Sequence, residues 1–241
     1  MSSHVVDSFS AARFASSPRA TFAVHERPRR GPWARRRGHP ELAGAVAAYV
    51  RGLIISGDMR RPKLKAIRLA FGHGWRAKPN RKLLVLGRGA VRLEYPETWI
   101  VEVDDDCVKV YDRTPPDDEC VLGVSCHPWP AVSGKERCLG PLVRAVLASD
   151  ERSFIALDPI VEETRLDVAL AWGQGRFVDS RVGREACARL CIARKAEIQA
   201  LVTFDFWLSD LALCDARWHE FLSSLQLGQS IADPQRGPSL S

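Results

Sequence analysis

From about residue 90 onward, apolar side chains return at every second position, the period of a strand with one buried face. Val91, Leu93 and Tyr95 alternate with Arg92 and Glu94; Pro96-Glu97-Thr98 interrupts the ladder, and Trp99, Val101 and Val103 resume it. The acidic triplet Asp104-Asp105-Asp106 reads as a turn, with Val108 to Tyr111 returning as the hairpin partner. A polar stretch, Thr114 to Glu119, leads into the short apolar run Cys120 to Cys126. The period then changes. Leu142, Val143, Val146 and Leu147 predict a helix over Leu139 to Ala148. Three β-rich runs follow, Leu166 to Trp172, Ala186 to Ala193 and Ile198 to Trp207. They are separated by Gly173-Gln174-Gly175, Asp179 to Gly183 and Arg194 to Glu197, the spacing of an antiparallel meander. Leu211, Cys214, Trp218, Phe221, Leu222 and Leu225 form one helical stripe, with Asp210 placed to cap it and Gly228 beyond its end. The pattern predicts an α+β domain over residues 83–228: a curved antiparallel sheet of about six strands flanked by helices.

Upstream the pattern fails. Met1 to about Pro40 has no apolar period, and Glu26 to Arg37 mixes Pro, Gly and Arg in a way that opposes a packed core, so a disordered arm is expected. Residues 40–56 read as one helix within it, with Pro40 in the first turn, Gly57 past the end, and Leu42, Val46, Tyr49, Val50, Leu53 and Ile54 on one face. Arg60 to Lys82 returns to basic, linker-like sequence, and residues 229–241 read as a polar, disordered tail. Met59 is a second candidate start, which would make Met1 to Asp58 an upstream extension; the intact mass of the protein from its natural host tests this.

Charge sharpens this division. Met1 to Lys82 holds 18 Lys and Arg against 4 Asp and Glu, a net of +14, while the rest holds 17 against 25, a net of −8. The whole-chain charge of +6 therefore describes neither part. A basic arm of residues 1–82 is a nucleic-acid candidate, since neutralised phosphates release counterions. Arginine also outnumbers lysine 28 to 7 and Asn80 is the sole asparagine, a bias that a GC-rich genome imposes whatever the function.

The longest apolar stretch, Leu42 to Ile55, is broken by Arg51, so no membrane span is expected. The first 25 residues lack a signal-peptide pattern, and an odd count of seven cysteines points to reduced thiols in the cytoplasm.

The element order, with the phrase Val91-Arg-Leu-Glu-Tyr-Pro-Glu-Thr-Trp99 at its start and Trp218-His-Glu-Phe-Leu-Ser-Ser-Leu225 at its close, resembles the PsbP/DcrB-like fold family. The resemblance covers roughly Ala90 to Leu227. It implies a curved antiparallel sheet flanked by helices and a mostly non-enzymatic role, as in extrinsic photosystem II subunits, small lipoproteins, nuclear transport accessory factors and effector chaperones. It supplies no catalytic residues, and a shared fold does not convey function.

The reactive groups form no recognised constellation. There is no Cys-x-x-Cys pair, and Cys187 and Cys191 sit about 13 Å apart if they lie on one strand, too far to share an ion. The acidic clusters lack the glycine and distal glutamate of a calcium loop. Cys126 and His127 are adjacent, hence on opposite faces of a strand. Gly173-Gln-Gly175 and Gly72-His-Gly74 lack the third glycine of a dinucleotide loop. No enzyme, cofactor or metal is therefore expected. An enzyme would instead need a polar pocket converging on His127, Glu94 or Asp205.

What remains is aromatic surface. Trp129, between Pro128 and Pro130, is the leading anchor for a protein partner, with His127, Trp99 and Trp172 as further contacts. The expected function is a cytoplasmic protein-binding or accessory domain; the alternative is nucleic-acid association through residues 1–82.

Overall fold

The computed structural model describes residues 20–22, 70–104, 107–129, 138–165, 167–228 and 231–238. Its strands are β1 (Ala20–Phe22), β2 (Arg81–Leu86), β3 (Val91–Pro96), β4 (Ile100–Val103), β5 (Val108–Tyr111), β6 (Cys120–Pro128), β7 (Ala156–Leu157), β8 (Val161–Arg165), β9 (Val168–Asp179), β10 (Arg184–Lys195), β11 (Ile198–Trp207) and β12 (Gln226–Leu227). Helix α1 (Leu139–Ala148) lies between β6 and β7, and α2 (Leu211–Ser224) between β11 and β12.

Eight strands form one sheet in the order β4-β5-β6-β11-β10-β9-β7, with β8 also paired to β9. All its pairings are antiparallel. Four more, β1-β2-β3-β12, form a second sheet in which β1 runs parallel to β2. The large sheet thus exceeds the expected six strands. The surplus comes from β7 and β8, which are short and flank β9; β8 is mostly exposed, so neither shows the alternation of a half-buried strand.

The two faces of the large sheet carry separate cores. On one face Phe204, Phe206, Leu122, Val124 and Cys191 meet Trp218 and Phe221 of α2, with Leu84, Leu93 and Tyr95 of the small sheet joining them. Trp218 is fully buried, stacked on Phe204 at 6.2 Å and edge-on to Trp172 at 5.8 Å. Truncating such a side chain typically costs about 3–5 kcal/mol. On the opposite face Val143, Val146 and Leu147 of α1 cover Ala171, Phe177, Leu190 and Ile192.

Gly173-Gln-Gly175, expected as a turn, lies inside β9. A Cβ on Gly173 would sit 2.5 Å from Ile160 Cδ1 and 2.9 Å from Leu147 Cδ1, and one on Gly175 would sit 2.5 Å from Phe154. These glycines admit neighbouring side chains onto the strand rather than bending it. Between them Gln174 carries a polar relay. Its Nε2 donates to Asp158 Oδ2 at 2.7 Å while its Oε1 accepts from Arg189 Nε at 2.7 Å. Arg189, 4% exposed, continues to Asp215 of α2 at 2.9 Å and lies within 6 Å of the Trp172, Phe206 and Trp218 rings.

The expected boundaries shift outward. Trp75, in the segment read as linker, is 1% exposed and packs on Leu83 and Val85. Its Nε1 donates to Pro234 O at 2.9 Å, and Ala70 N–H donates to Gln235 O at 3.0 Å, so part of the expected tail packs against the start of the domain. An indole buries too much apolar surface to stay in a solvated linker when a partner strand is near. Within the arm, Ala20–Phe22 forms β1, in register with Leu83, Leu84 and Val85. The helix expected over residues 40–56 lies outside the described residues. Asp210 occupies the cap position of α2 without a capping side-chain bond. A 3₁₀ turn, Leu208–Asp210, leads into the helix instead.

Candidate functional site

The site grows out of the β10–β11 hairpin. Lys195 pairs with Ile198, and the turn between them places Ala196 at φ 48°, the left-handed conformation a tight hairpin requires. Arg194 then faces Gln199 across the hairpin, and Gln199 faces His127 of β6. Three strands therefore present Arg194, Gln199 and His127 in one row on one face. Alternation along β6 places Ser125 on this face as well, and Trp129 just past the strand end.

Hydrogen bonds hold the row in one arrangement. Trp129 N–H donates to Glu197 O at 2.7 Å, carrying the ladder one residue beyond β6. The Arg194 guanidinium carbon lies 3.9 Å from the Trp129 ring centroid, and its Nη2 donates to Gln199 Oε1 at 2.6 Å. Gln199 is 3% exposed, whereas Trp129 is half-buried. Ser125 Oγ and His127 Nε2 lie 2.9 Å apart. The result is a polar and aromatic corner at one end of the sheet, in which an indole lies flat under a cation. A guanidinium–indole stack contributes about 0.5–2 kcal/mol, depending on desolvation.

The four expected contact residues do not form one surface. Trp129 and His127 share the corner. Trp99 is 4% exposed, edge-on to Phe221 at 5.6 Å and covered by Arg217 at 5.2 Å, so it is a core residue rather than an anchor. The strand alternation after Pro96 turns it inward. Trp172 is half-buried under α2, 6.2 Å from the His219 ring, on the opposite face of the large sheet.

His127, Glu94 and Asp205 do not converge. Asp205 is six residues along β11 from Gln199, about 20 Å at strand rise, and pairs with Arg152 at 3.4 Å. Glu94 belongs to the small sheet, where its Oε1 accepts from Lys78 N–H. Cys126 packs against the first core and burial pushes its thiol pKa up to about 11, opposite in direction from an activated nucleophile. Among the described residues no three His, Cys, Asp or Glu side chains are grouped to hold a metal ion. No helix among them is long and apolar enough to cross a membrane.

The sequence reading missed Ser125, Arg194 and Gln199. The signal for the latter two lay in the register, since a two-residue turn after Lys195 forces Arg194 and Gln199 to face each other.

The Alr1449 family model matches residues 82–231, which span the corner and every element from β3 to β12. This chain belongs to the Alr1449 family. Its relative, the uncharacterized protein alr1449 of Nostoc sp. (strain PCC 7120), is 33% identical over 166 residues, 68% of this chain and 86% of that protein. Solved structures overlay less closely on this Alr1449 family member. Cyanobacterial PsbP (CyanoP) from Synechocystis sp. PCC 6803 is 16% identical, with a TM-score of 0.43 over 64% of this chain and 96% of that one. The Ran-binding protein Mog1p of Saccharomyces cerevisiae is 10% identical, with a TM-score of 0.39 over 61% and 95%. PA94 of Pseudomonas aeruginosa is 14% identical, with a TM-score of 0.41 over 62% and 99%. PsbP is thus among the overlays, and no specific DcrB-like assignment follows. Overlaps of this depth speak to neither activity nor partner.

Proposed function

We infer that this protein is a non-enzymatic, cytoplasmic accessory domain that binds a protein partner at the corner formed by Trp129, His127 and Arg194. The observation that carries the reading is the Arg194 guanidinium 3.9 Å over the half-buried Trp129 ring, whose backbone is bonded to Glu197 O. Trp and Arg dominate the energetic centres of protein interfaces, and a side chain held in place before binding loses little rotamer entropy on association. The odd number of cysteines, seven, supports a reducing compartment.

A photo-reactive phenylalanine analogue placed at position 129 of the full chain, in extract of the natural host, tests this. Leu213, exposed on α2, is the control position. The expected result is a discrete adduct at 129, absent at 213 and lost in an Arg194→Ala variant that melts as a folded protein. The same adducts at both positions, or none at 129, would overturn the assignment.

A further inference from the structure

β8 lies at one edge of the large sheet and pairs with β9 on its inner side; among the described residues no strand pairs with its outer side. The ladder fixes which backbone groups point outward. Gln174 O of β9 accepts from Asp158 N–H at 2.9 Å, so Gln174 turns its peptide groups towards the β7–β8 side, and alternation turns those of Trp172, Leu170 and Val168 the same way. These three lie opposite Val161, Glu163 and Arg165, whose N–H and C=O groups therefore point inward to β9. Glu162 and Thr164, both exposed, point theirs out into solvent. An edge of this kind is a template for one more strand.

We propose that β8 pairs antiparallel with β8 of a second copy of this chain, about a twofold axis at Thr164, joining two eight-stranded sheets into one. The charges select the partner and the register. A twofold pairing through the outward groups can centre on Glu162, Glu163, Thr164 or Arg165. The first, second and fourth each set a charged residue directly against its own copy, which is destabilising. Centring on Thr164 sets Glu163 opposite Arg165 of the second copy, twice by symmetry, with Thr164 opposite Thr164, both favourable cross-strand pairs. Within one copy Arg165 Nη2 already donates to Glu163 Oε1 at 2.6 Å, so the four side chains close a ring of alternating sign.

The axis falls in the same row as the corner. Thr164 faces Ala169, Ala169 faces Arg194, Arg194 faces Gln199, and Gln199 faces His127. The twofold runs perpendicular to the sheet, so the two corners lie on one face, nine strand spacings or roughly 43 Å apart. The dimer presents both corners to the same side, while the pairing itself does not depend on what binds there.

Sedimentation of the full chain over a range of concentrations tests this. The expected result is a reversible monomer–dimer equilibrium. Glu163→Arg and Arg165→Glu each set like charges opposite one another and weaken dimerisation by at least about tenfold. An equal mixture of the two variants dimerises again, because each then meets the opposite charge. Thr164→Pro removes an outward N–H and leaves the β9 ladder intact, so it also abolishes the dimer without unfolding the chain. Should the variants fail to fold, hydrogen exchange on the wild-type chain decides: the Glu162 and Thr164 amides slow as concentration rises, and the Glu163 amide does not. A chain that stays monomeric, a dimer indifferent to Thr164→Pro, a mixture that stays monomeric, or exchange at Glu162 and Thr164 that is independent of concentration would overturn the proposal.

Discussion

Arg152 pins the segment after α1 to the large sheet, and replacing it tests how the buried charges of this fold are balanced. Its guanidinium makes a two-point bond to Asp150, Nε to Oδ1 and Nη2 to Oδ2, both 2.9 Å, and its Nη1 lies 3.4 Å from Asp205 Oδ2. The Phe177 and Phe154 rings flank it at 4.6 and 5.4 Å. The Arg152, Asp150 and Asp205 side chains are 10%, 3% and 5% exposed. Burial draws the Arg152 pKa down, but the Asp205 and Asp150 carboxylates outweigh it and raise the value. Arg152→Met keeps most of the packing volume and removes the cation, leaving two carboxylates in a poorly solvated pocket. Breaking a buried pair in this way costs about 3–5 kcal/mol. Asp150 Oδ1 also accepts the Arg152 backbone N–H at 2.9 Å, a bond the variant keeps, so the lower end, about 3 kcal/mol, is expected. Urea unfolding at pH 7, followed by tryptophan fluorescence, measures it. Adding Asp205→Asn to Arg152→Met should recover at least about 1 kcal/mol, because most of the loss comes from the stranded charge. A loss below about 1 kcal/mol for the single variant, or no recovery in the double, would refute the charge-balance account.

Three further outcomes follow from the packing. Gly173→Ala forces a methyl group against Ile160 and Leu147 and should cost about 1–3 kcal/mol in the same assay, whereas a turn glycine at a negative φ would tolerate it. Burial pushes the Cys126 and Cys187 thiols up to about 11 from an ordinary value of 9.0. The folded state therefore holds protons that the unfolded state releases above that value. This stabilisation is complete below pH 9 and is lost as pH rises from there through 11, by about 3 kcal/mol per thiol at most. Stability that stayed flat over that window under reducing conditions would contradict it. Ending the chain after residue 228 removes Pro234 O from Trp75 Nε1 and uncovers a buried indole; a red-shifted emission and a loss of about 1–3 kcal/mol are expected, and an unchanged spectrum would show that the last residues do not cover it.

The elements with the strongest periods were legible from residue types alone. Val91, Leu93 and Tyr95 are all buried as their alternation requires, and α1 spans Leu139–Ala148 as the spacing of its valines and leucines predicts. The failures share a cause: each depended on what another part of the chain brings alongside. Gly173 and Gly175 read as breakers because the side chains that fill their space, Leu147, Phe154 and Ile160, come from α1 and from the loops flanking β7. Trp75 read as linker because β2 and Ile231, which cover it, lie elsewhere in the sequence. At the corner, Trp129 and His127 could be found as residue types, but Arg194 and Gln199 become neighbours of them through register alone.

Gln174 touches both a carboxylate and a guanidinium, and this restricts what can stand there. Its amide serves both at once, offering hydrogens to Asp158 and a lone pair to Arg189, so it acts as an adaptor between ions of opposite sign without adding charge. Glutamate would satisfy the arginine and repel the aspartate; lysine would do the reverse. The strand, the helix and the turn before β8 are therefore wired through a position at which either charged substitute breaks one end of the line.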